Sequence, residues 1–188
     1  LNRGHTRLAV LPEAIDAGQQ LQMLDLGHNA LTTLPLALGR LPQLSGFLYL
    51  GSNQLHEIPD ALCAGLAQLG YLNVANNQLA ALPVSLGSMK GLVELRLYNN
   101  RIEALPESIG HLARLQELHL GNNRIAALPE SIGQLQALEE LHLPNNALTA
   151  LPTSLHGRIK PPRRERRNHP RTNRPGAKSR RPHQQREG

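Results

Sequence analysis

An asparagine returns along this chain at an almost constant interval, and that period constrains the fold more than any other feature. Successive gaps in the series are 24, 24, 23, 23 and 23 residues. The asparagines of the series are Asn29, Asn53, Asn77, Asn100, Asn123 and Asn146. Regular self-similarity of this length indicates a solenoid, in which each unit packs only against its neighbours.

Leucine and proline keep a fixed register with these asparagines. Each asparagine follows a Leu-x-Leu or Leu-x-Val pair and precedes a Leu-Pro or Ile-Pro dipeptide, whose prolines are Pro35, Pro59, Pro83, Pro106, Pro129 and Pro152. A degraded earlier unit also fits, with Leu1, Thr6 in the asparagine position, Leu8, Leu11 and Pro12. The two longer intervals need one extra residue each, near Ser45-Gly46 and Ala64-Gly65, where we expect a bulged turn.

The alternation within each unit predicts a short strand. Leu95 and Leu97 would point into the core while Glu94, Arg96 and Tyr98 point outward. An asparagine amide offers two donors and one acceptor, so stacked asparagines can satisfy backbone groups at a turn that excludes water. Proline fixes φ and lacks an N–H, which suits the first residue of a short segment on the opposite side. The glycines that follow, including Gly39 and Gly87, are expected to permit a tight bend.

This pattern resembles the leucine-rich-repeat family, in its 23-residue form L-x-x-L-x-x-L-x-L-x-x-N-x-L-x-x-L-P-x-x-I-G. The resemblance extends from residue 1 to about residue 155. This repeat subtype is similar to that of intracellular Ras-pathway and polarity scaffolds, plant intracellular relatives and many bacterial proteins. It implies an α/β repeat solenoid, a horseshoe with a parallel β-sheet on the concave side and short helical or 3-10 segments on the convex side.

Charge divides the chain into two parts. Residues 156–188 contain 12 of the 20 Lys and Arg residues and 2 of the 14 acidic ones, a net +10, whereas residues 1–155 carry a net −4. The sequence therefore predicts a mildly acidic repeat domain over residues 1–155 and a basic, proline- and arginine-rich disordered tail over residues 156–188. The repeat starts and stops within a unit and has no recognisable cap, so we expect modest stability, fraying of the first unit or a larger parent protein.

Several absences favour an intracellular, cytoplasmic location, with delivery into a host cell as a further option for a bacterial protein. Cys63 is the only cysteine, so no internal disulfide forms. No apolar run is long enough for a membrane span, and no signal peptide is visible.

Recognition in such a scaffold belongs to the outward positions of the strands. The one Phe and all three Tyr fall there, and exposed aromatic residues are frequent at interface hot spots. Outward strand positions also favour aromatics without any partner. The predicted protein- or peptide-binding residues are Met23, Asp25, Phe47, Tyr49, Tyr71, Asn73, Glu94, Arg96, Tyr98, Glu117, His119, Glu140 and His142.

Glutamates and histidines in the last units could bind a metal ion, or they could form a row of hydrated surface side chains (a solvated ladder). His119, His142 and their neighbouring glutamates have plausible spacing, but metal sites need three or four fixed ligands with outer support. We therefore expect no metal and no cofactor. Phosphate loops, paired cysteines and nucleophile motifs are absent from the sequence, so we expect a binding module and not an enzyme.

Two other functions remain open at this stage. The chain could be the substrate-recognition part of a larger enzyme, such as a bacterial effector ligase or kinase, whose catalytic domain lies elsewhere. The basic run from Arg163 to Arg167 could bind nucleic acid, an anionic membrane or an import receptor. It lacks interleaved aromatics for base stacking, so we expect no specific nucleic acid partner. Oligomeric state is not indicated by the sequence.

Overall fold

A computed structural model describes residues 7–17 and 20–155, which form a single parallel sheet backed by short helices. The sheet has six strands in chain order, and each pairs only with the strands before and after it. The strands are β1 (Met23–Asp25), β2 (Phe47–Tyr49), β3 (Tyr71–Asn73), β4 (Glu94–Arg96), β5 (Glu117–His119) and β6 (Glu140–His142). Neighbouring units are in register, so Leu48 of β2 pairs with Leu24 and Leu72. The structure is the repeat solenoid that the sequence predicts.

Short helices run along the side opposite the sheet. In the described residues they are five-residue or shorter 3-10 helices with one α-helix, at Glu13–Ala17, Leu36–Arg40, Asp60–Gly65 (α1), Val84–Ser88, Glu107–His111, Glu130–Gln134 and Thr153–Leu155. Those preceded by Pro35, Pro59, Pro83, Pro106 and Pro129 begin directly after the proline. Each of these prolines has φ between −61° and −70°, the value its ring imposes.

The two inserted residues are accommodated differently. Gly46 lies in a bend immediately before β2, as expected of an insertion near Ser45. The prediction of a bulged turn at Ala64-Gly65 is wrong, because both residues lie in α1, the single α-helix of the described residues. One additional residue lets the Leu66 amide donate to the Leu62 carbonyl over 3.1 Å, a bond that spans one more residue than a 3-10 turn allows.

The core is a continuous aliphatic column between sheet and helices. Leu24, Leu48, Leu72, Leu95 and Leu118 occupy one position of successive strands and are all fully buried. No aromatic side chain belongs to it, since the described core consists of Leu, Ile and Val with Ala, Met and Cys. A layer of this kind is copied by each unit and closed by the next.

The asparagine series stabilises the turn after each strand. Asn53 donates its two amide hydrogens to the carbonyls of Leu26 and Leu50, each over 3.0 Å, and accepts from the Leu31 amide over 3.0 Å. The same three kinds of bond recur at Asn77, Asn100, Asn123 and Asn146. Each amide therefore links its own unit to the one before it.

Glycine in the convex helices has a different role from the expected tight bend. A Cβ on Gly87 would lie 2.5 Å from the Ser108 carbonyl oxygen, and one on Gly110 would lie 2.5 Å from that of Ser131. The glycines permit close packing between successive helices. A serine of the following helix lies against each of these glycines, Ser108 against Gly87 and Ser131 against Gly110. The Ser108 hydroxyl donates to the Val84 carbonyl over 2.6 Å.

Parts of the predicted organisation lie outside the described residues. These are Leu1 and Thr6 of the first unit, and the whole tail from 156 to 188 with its Arg163–Arg167 run. Leu8 does continue the ladder, because its amide donates to Asn29 Oδ1 over 2.9 Å and its carbonyl accepts from Ala30. No helix within residues 7–17 and 20–155 is long and apolar enough to cross a bilayer.

Candidate functional site

The outward side chains of the six strands form two columns across one face of the sheet. Strand register places the first residue of every strand in one column and the third residue in the other. The first column is Met23, Phe47, Tyr71, Glu94, Glu117 and Glu140, and the second is Asp25, Tyr49, Asn73, Arg96, His119 and His142. Tyr98 follows β4 on the same side. The structure thus brings every predicted binding residue to one face.

Three flat side chains form a cluster over β2 to β4, which we call the aromatic–arginine cluster (Tyr49, Tyr71 and Arg96). The rings of Tyr49 and Tyr71 are stacked with centroids 6.4 Å apart and planes 15° from parallel. The Arg96 guanidinium carbon lies 5.7 Å from the Tyr71 ring centroid, within the range of a cation–π contact. Burial raises the pKa of the Tyr71 phenol above its ordinary value. Tyr71 is therefore neutral at physiological pH and presents a fixed, half-buried ring.

Asn73 requires a correction to the predicted binding surface. It lies in the second column, but its exposed fraction is 0%, so a docked partner does not reach it directly. Its amide nitrogen donates to the Tyr71 hydroxyl over 3.2 Å, and its amide oxygen accepts from the Ala75 backbone over 2.9 Å. The role of Asn73 on this face is to hold Tyr71 in place.

An acidic and histidine-containing stripe covers β4 to β6, formed by Glu94, Glu117, His119, Glu140 and His142. Each glutamate has a basic neighbour two residues later on its own strand. Arg96 donates to Glu94, while the Nε2 atoms of His119 and His142 lie 3.2 Å and 3.0 Å from Glu117 and Glu140. The hydrogen bond with His142 holds the pKa of Glu140 below its ordinary value. These pairs relieve the repulsion that a ladder of glutamates would otherwise produce.

The two histidine rings are themselves stacked. Their centroids are 4.5 Å apart and their planes lie 11° from parallel. This contact fixes the His119 ring between β4 and β6. The stripe is consequently ordered by side-chain contacts along the sheet as well as within each strand.

A metal ion would find its best donor set at Glu94, Glu117 and His119. One ligand atom from each lies within 4.8 Å of the others. Arg96 already neutralises Glu94, and His119 already bonds Glu117 over 3.2 Å. The donor atoms thus have protein partners, which is the arrangement of a solvated ladder. The expectation of no metal stays a prediction.

Sequence reasoning missed a second asparagine ladder at the rim of this face. Asn76, Asn99, Asn122 and Asn145 have φ between 54° and 56°, a left-handed conformation that asparagine tolerates better than most residues. Their exposed amides bond in series, each donating to the one before it over 2.6 Å. The repeated Asn-Asn dipeptides at 76, 99, 122 and 145 were the available signal.

Cys63, the only cysteine of the chain, lies within α1 and is fully buried. Burial raises the pKa of its thiol to about 11. The thiol therefore stays protonated and unreactive in the folded chain.

Solved structures with the same architecture include a plant peptide hormone receptor. A leucine-rich-repeat protein of Leptospira interrogans matches with a TM-score of 0.73 and 29% identity, over 82% of this chain and 45% of that one. The plant peptide hormone receptor RGFR1, solved with RGF2, matches at 0.67 and 29%, over 77% of this chain and 24% of the receptor. The PEPR1–AtPEP1 structure matches at 0.66 and 28%, over 73% and 20%. The chain thus spans less than half the length of these proteins.

Sequence comparison leads to the same family. Curated protein sequences give no match to this chain. A family model described as a leucine-rich repeat region matches residues 60–156, which is 97 of the 188 residues. A second model, for a single leucine-rich repeat, matches residues 20–41. The chain belongs to the leucine-rich repeat family.

Proposed function

We propose that this chain binds a protein or peptide segment across its concave face, and that binding rather than catalysis is its function. The observation that supports this most is the aromatic–arginine cluster, where Tyr49, Tyr71 and Arg96 stack over one another outside the core. Aromatic and arginine side chains fixed in this way are typical interface anchors, because they bury a large area and lose little conformational entropy.

Charge on the face indicates the chemistry of the partner. Moving from β2 to β6, the surface changes from aromatic at Phe47 and Tyr49 to acidic at Glu117 and Glu140. A partner that places an apolar residue on the cluster and a basic segment along the stripe would complement both. A plant peptide hormone receptor, RGFR1, is among the structural neighbours and was solved with RGF2, which supports a peptide as the ligand.

The cellular role that we propose is intracellular signalling or scaffolding. The alternative is that this face selects substrates for a catalytic domain in a longer protein, such as a bacterial effector ligase or kinase. Both roles use the same surface. Finding a folded catalytic domain encoded beside these repeats in the parent gene would favour the second.

The test is a binding selection with a defined probe. A random peptide library displayed on phage is panned against the full chain, and the enriched peptides are synthesised and titrated. We expect enriched sequences that combine aromatic or aliphatic residues with Lys or Arg. The Phe47→Ala/Tyr49→Ala/Tyr71→Ala variant should lose at least roughly tenfold in affinity, because each truncated anchor at a hot spot costs more than about 1 kcal/mol.

A matched control truncates apolar residues of the convex side. Leu36 and Val84 are exposed by 51% and 73% and lie on the convex helices, so Leu36→Ala/Val84→Ala should leave the affinity unchanged. Deletion of residues 158–188 should also leave the enriched peptides bound. Equal affinity of the parent and the triple variant would move the binding surface away from this face.

A further inference from the structure

The sheet ends in an open strand at β6. In the described residues β6 pairs with β5 alone, since it is last in the strand order. Backbone groups alternate sides along a strand, and the His142 carbonyl faces β5, where it accepts from the Leu120 amide over 2.8 Å. Leu141 and Leu143 therefore direct their backbone groups away from the sheet. An unpaired edge of this kind is a template for another strand.

Hydrogen bonds of the earlier units show what the open edge lacks. The amides of Val74, Leu97 and Leu120 each donate to the following strand, over 2.9, 2.8 and 2.8 Å. Leu143 occupies the equivalent position, and no acceptor within the described part of the chain meets its amide. Likewise the Asn122 backbone amide donates to Pro144, whereas no strand follows Asn145 within residues 7–17 and 20–155.

Side-chain burial changes at the same place. Leu115, Leu118, Leu120 and Ile125 of the β5 unit all have an exposed fraction of 0%. Their counterparts one unit later, Leu138, Leu141, Leu143 and Leu148, are only partly buried. A cavity of about 280 Å³ opens among the side chains of this end, with Leu138, Leu141 and Leu155 in its wall. The last layer of the core is thus an apolar surface continuous with an unpaired strand.

We infer that a second copy of this chain covers this edge, through an antiparallel β6–β6 pairing about a two-fold axis that passes beside Leu141. The axis makes the contact self-complementary, as in most homodimers. In this register the two Leu141 residues pair with each other, and Leu143 of each copy donates its amide to the Glu139 carbonyl of the other. The result is one sheet of twelve strands with the two cores joined.

The outward side chains of Glu140 and His142 favour this register. Only registers that leave Leu141 and Leu143 facing the partner satisfy their backbone groups. A two-fold axis at Glu140 would place the two Glu140 side chains opposite each other, and an axis at His142 would do the same for the histidines. The axis at Leu141 instead places Glu140 of each copy opposite His142 of the other. A hydrogen-bond donor that faces a carboxylate stabilises a strand pair, and two facing carboxylates destabilise it.

The experiment measures self-association of the full 188-residue chain by sedimentation equilibrium and light scattering. We expect a mass of twice 20.6 kDa at high micromolar concentration and dissociation on dilution. Glu140→Lys would remove the carboxylate that faces His142, and His142→Glu would set glutamate against glutamate. Each single variant should raise the dimer dissociation constant by roughly tenfold, since two equivalent pairs change in every dimer.

A mixture of the two variants separates this register from a general loss of folding. When one copy carries Glu140→Lys and the other His142→Glu, both facing pairs again join a donor to a carboxylate, so a heterodimer should form at the affinity of the parent chain. Glu117→Lys makes the same charge change one strand inward and should leave association unchanged. A monomeric parent chain over the whole concentration range would overturn the inference, as would single variants that associate like the parent or a mixture that fails to restore the dimer.

Discussion

At the scale of single residues, two adjacent asparagines with different environments separate structural from surface roles. The side chain of Asn123 is buried and bonds Ile102, Leu97 and Leu120, whereas the side chain of Asn122 is exposed and bonds only other asparagines. Removing the first side chain leaves the buried Ile102 amide without a partner, while the Leu97 and Leu120 carbonyls keep the bonds from Asn100 and Asn146. Removing the second exposes nothing that water cannot reach.

We therefore expect Asn123→Ala to lower the free energy of unfolding by about 1–3 kcal/mol, because the buried Ile102 amide is left unsatisfied. Asn122→Gly, which keeps the left-handed turn accessible, should change it by less than about 0.5 kcal/mol. Urea titration followed by circular dichroism measures both. Similar losses in the two variants would mean that the exposed ladder carries as much stability as the buried one.

Burial of Cys63 predicts its reactivity. With its pKa raised to about 11 and its side chain fully buried, the thiol is protonated and inaccessible at pH 8. Alkylation by iodoacetamide should be more than about a hundredfold slower in the native chain than in denaturant, because only the thiolate reacts. Mass spectrometry of quenched samples gives the two rates. Rapid labelling of the native chain would show that α1 opens readily.

Glu130 predicts a local response to acid. Its carboxylate accepts from the Thr153 and Ser154 amides, each over 3.0 Å, and these bonds lower its pKa below 4.5. A depressed pKa means that the contribution is complete above pH 4.5 and is lost as the pH falls through the folded value. Hydrogen exchange at Thr153 and Ser154 should accelerate over that range. Glu130→Gln should remove this pH dependence. An unchanged exchange profile in that variant would mean that another group causes it.

The concave residues show how far sequence reasoning reaches at this scale. Strand alternation alone placed Phe47, Tyr49 and Tyr71 on one face. It did not reveal that Asn73 is buried, because its burial depends on the neighbouring Tyr71 ring on the same strand, not on its own position. Alternation predicts the side of a sheet, whereas exposure depends on the size of adjacent side chains.

At the scale of elements, close packing between successive convex helices limits which residues can lie at their contacts. A Cβ on Gly110 would lie 2.5 Å from the Ser131 carbonyl oxygen, and backbone cannot move aside as a side chain can. A Cβ on Gly121 would lie 3.1 Å from Pro144, an exposed ring with room to shift.

Gly110→Ala should therefore destabilise the chain by about 1–3 kcal/mol, the cost of overpacking, and Gly121→Ala should cost clearly less. Thermal unfolding monitored by calorimetry compares the two. An equal shift in Tm for both would mean that the helix spacing adjusts freely.

The proline positions predicted where the convex helices begin, but not their type. Proline specifies only the first φ angle, so Pro59 and Pro83 precede different helices, an α-helix and a 3-10 helix. The difference arises after the first inward leucine, since Leu62 and Leu66 are four residues apart whereas Leu86 and Met89 are three apart. Asp60 illustrates the link between elements, since its carboxylate accepts from the Ser85 amide of the following helix over 3.1 Å.

At the scale of the molecule, stability should vary along the solenoid. Inner units are closed on both sides, and their leucines are fully buried, whereas Leu141 and Leu143 are only partly covered. Amides in β3 to β5 should exchange most slowly in a hydrogen-exchange experiment at low concentration, and those near β6 fastest. A single exchange rate for all strands would instead indicate one cooperative unit.

The sheet, its strand order and its outward columns follow from the repeat period, because one unit determines every other. The behaviour of the open end does not follow from it. Leu118 and Leu141 are the same residue at the same position, and only the presence of a neighbour distinguishes their burial. A periodic sequence describes the interior of a solenoid and carries no information about its boundary.

Because the strands pair in register, equivalent residues on the concave face are separated by a whole number of strand spacings. Removing residues 101–123 would join Asn100 to Arg124 without disturbing any other position of the repeat, and β6 would take the place of β5 beside β4. The face would become shorter by one strand spacing, about 4.8 Å. Deleting or inserting a repeat thus moves the binding residues by one whole strand spacing. A ligand that fits one spacing of these residues should therefore not fit the next.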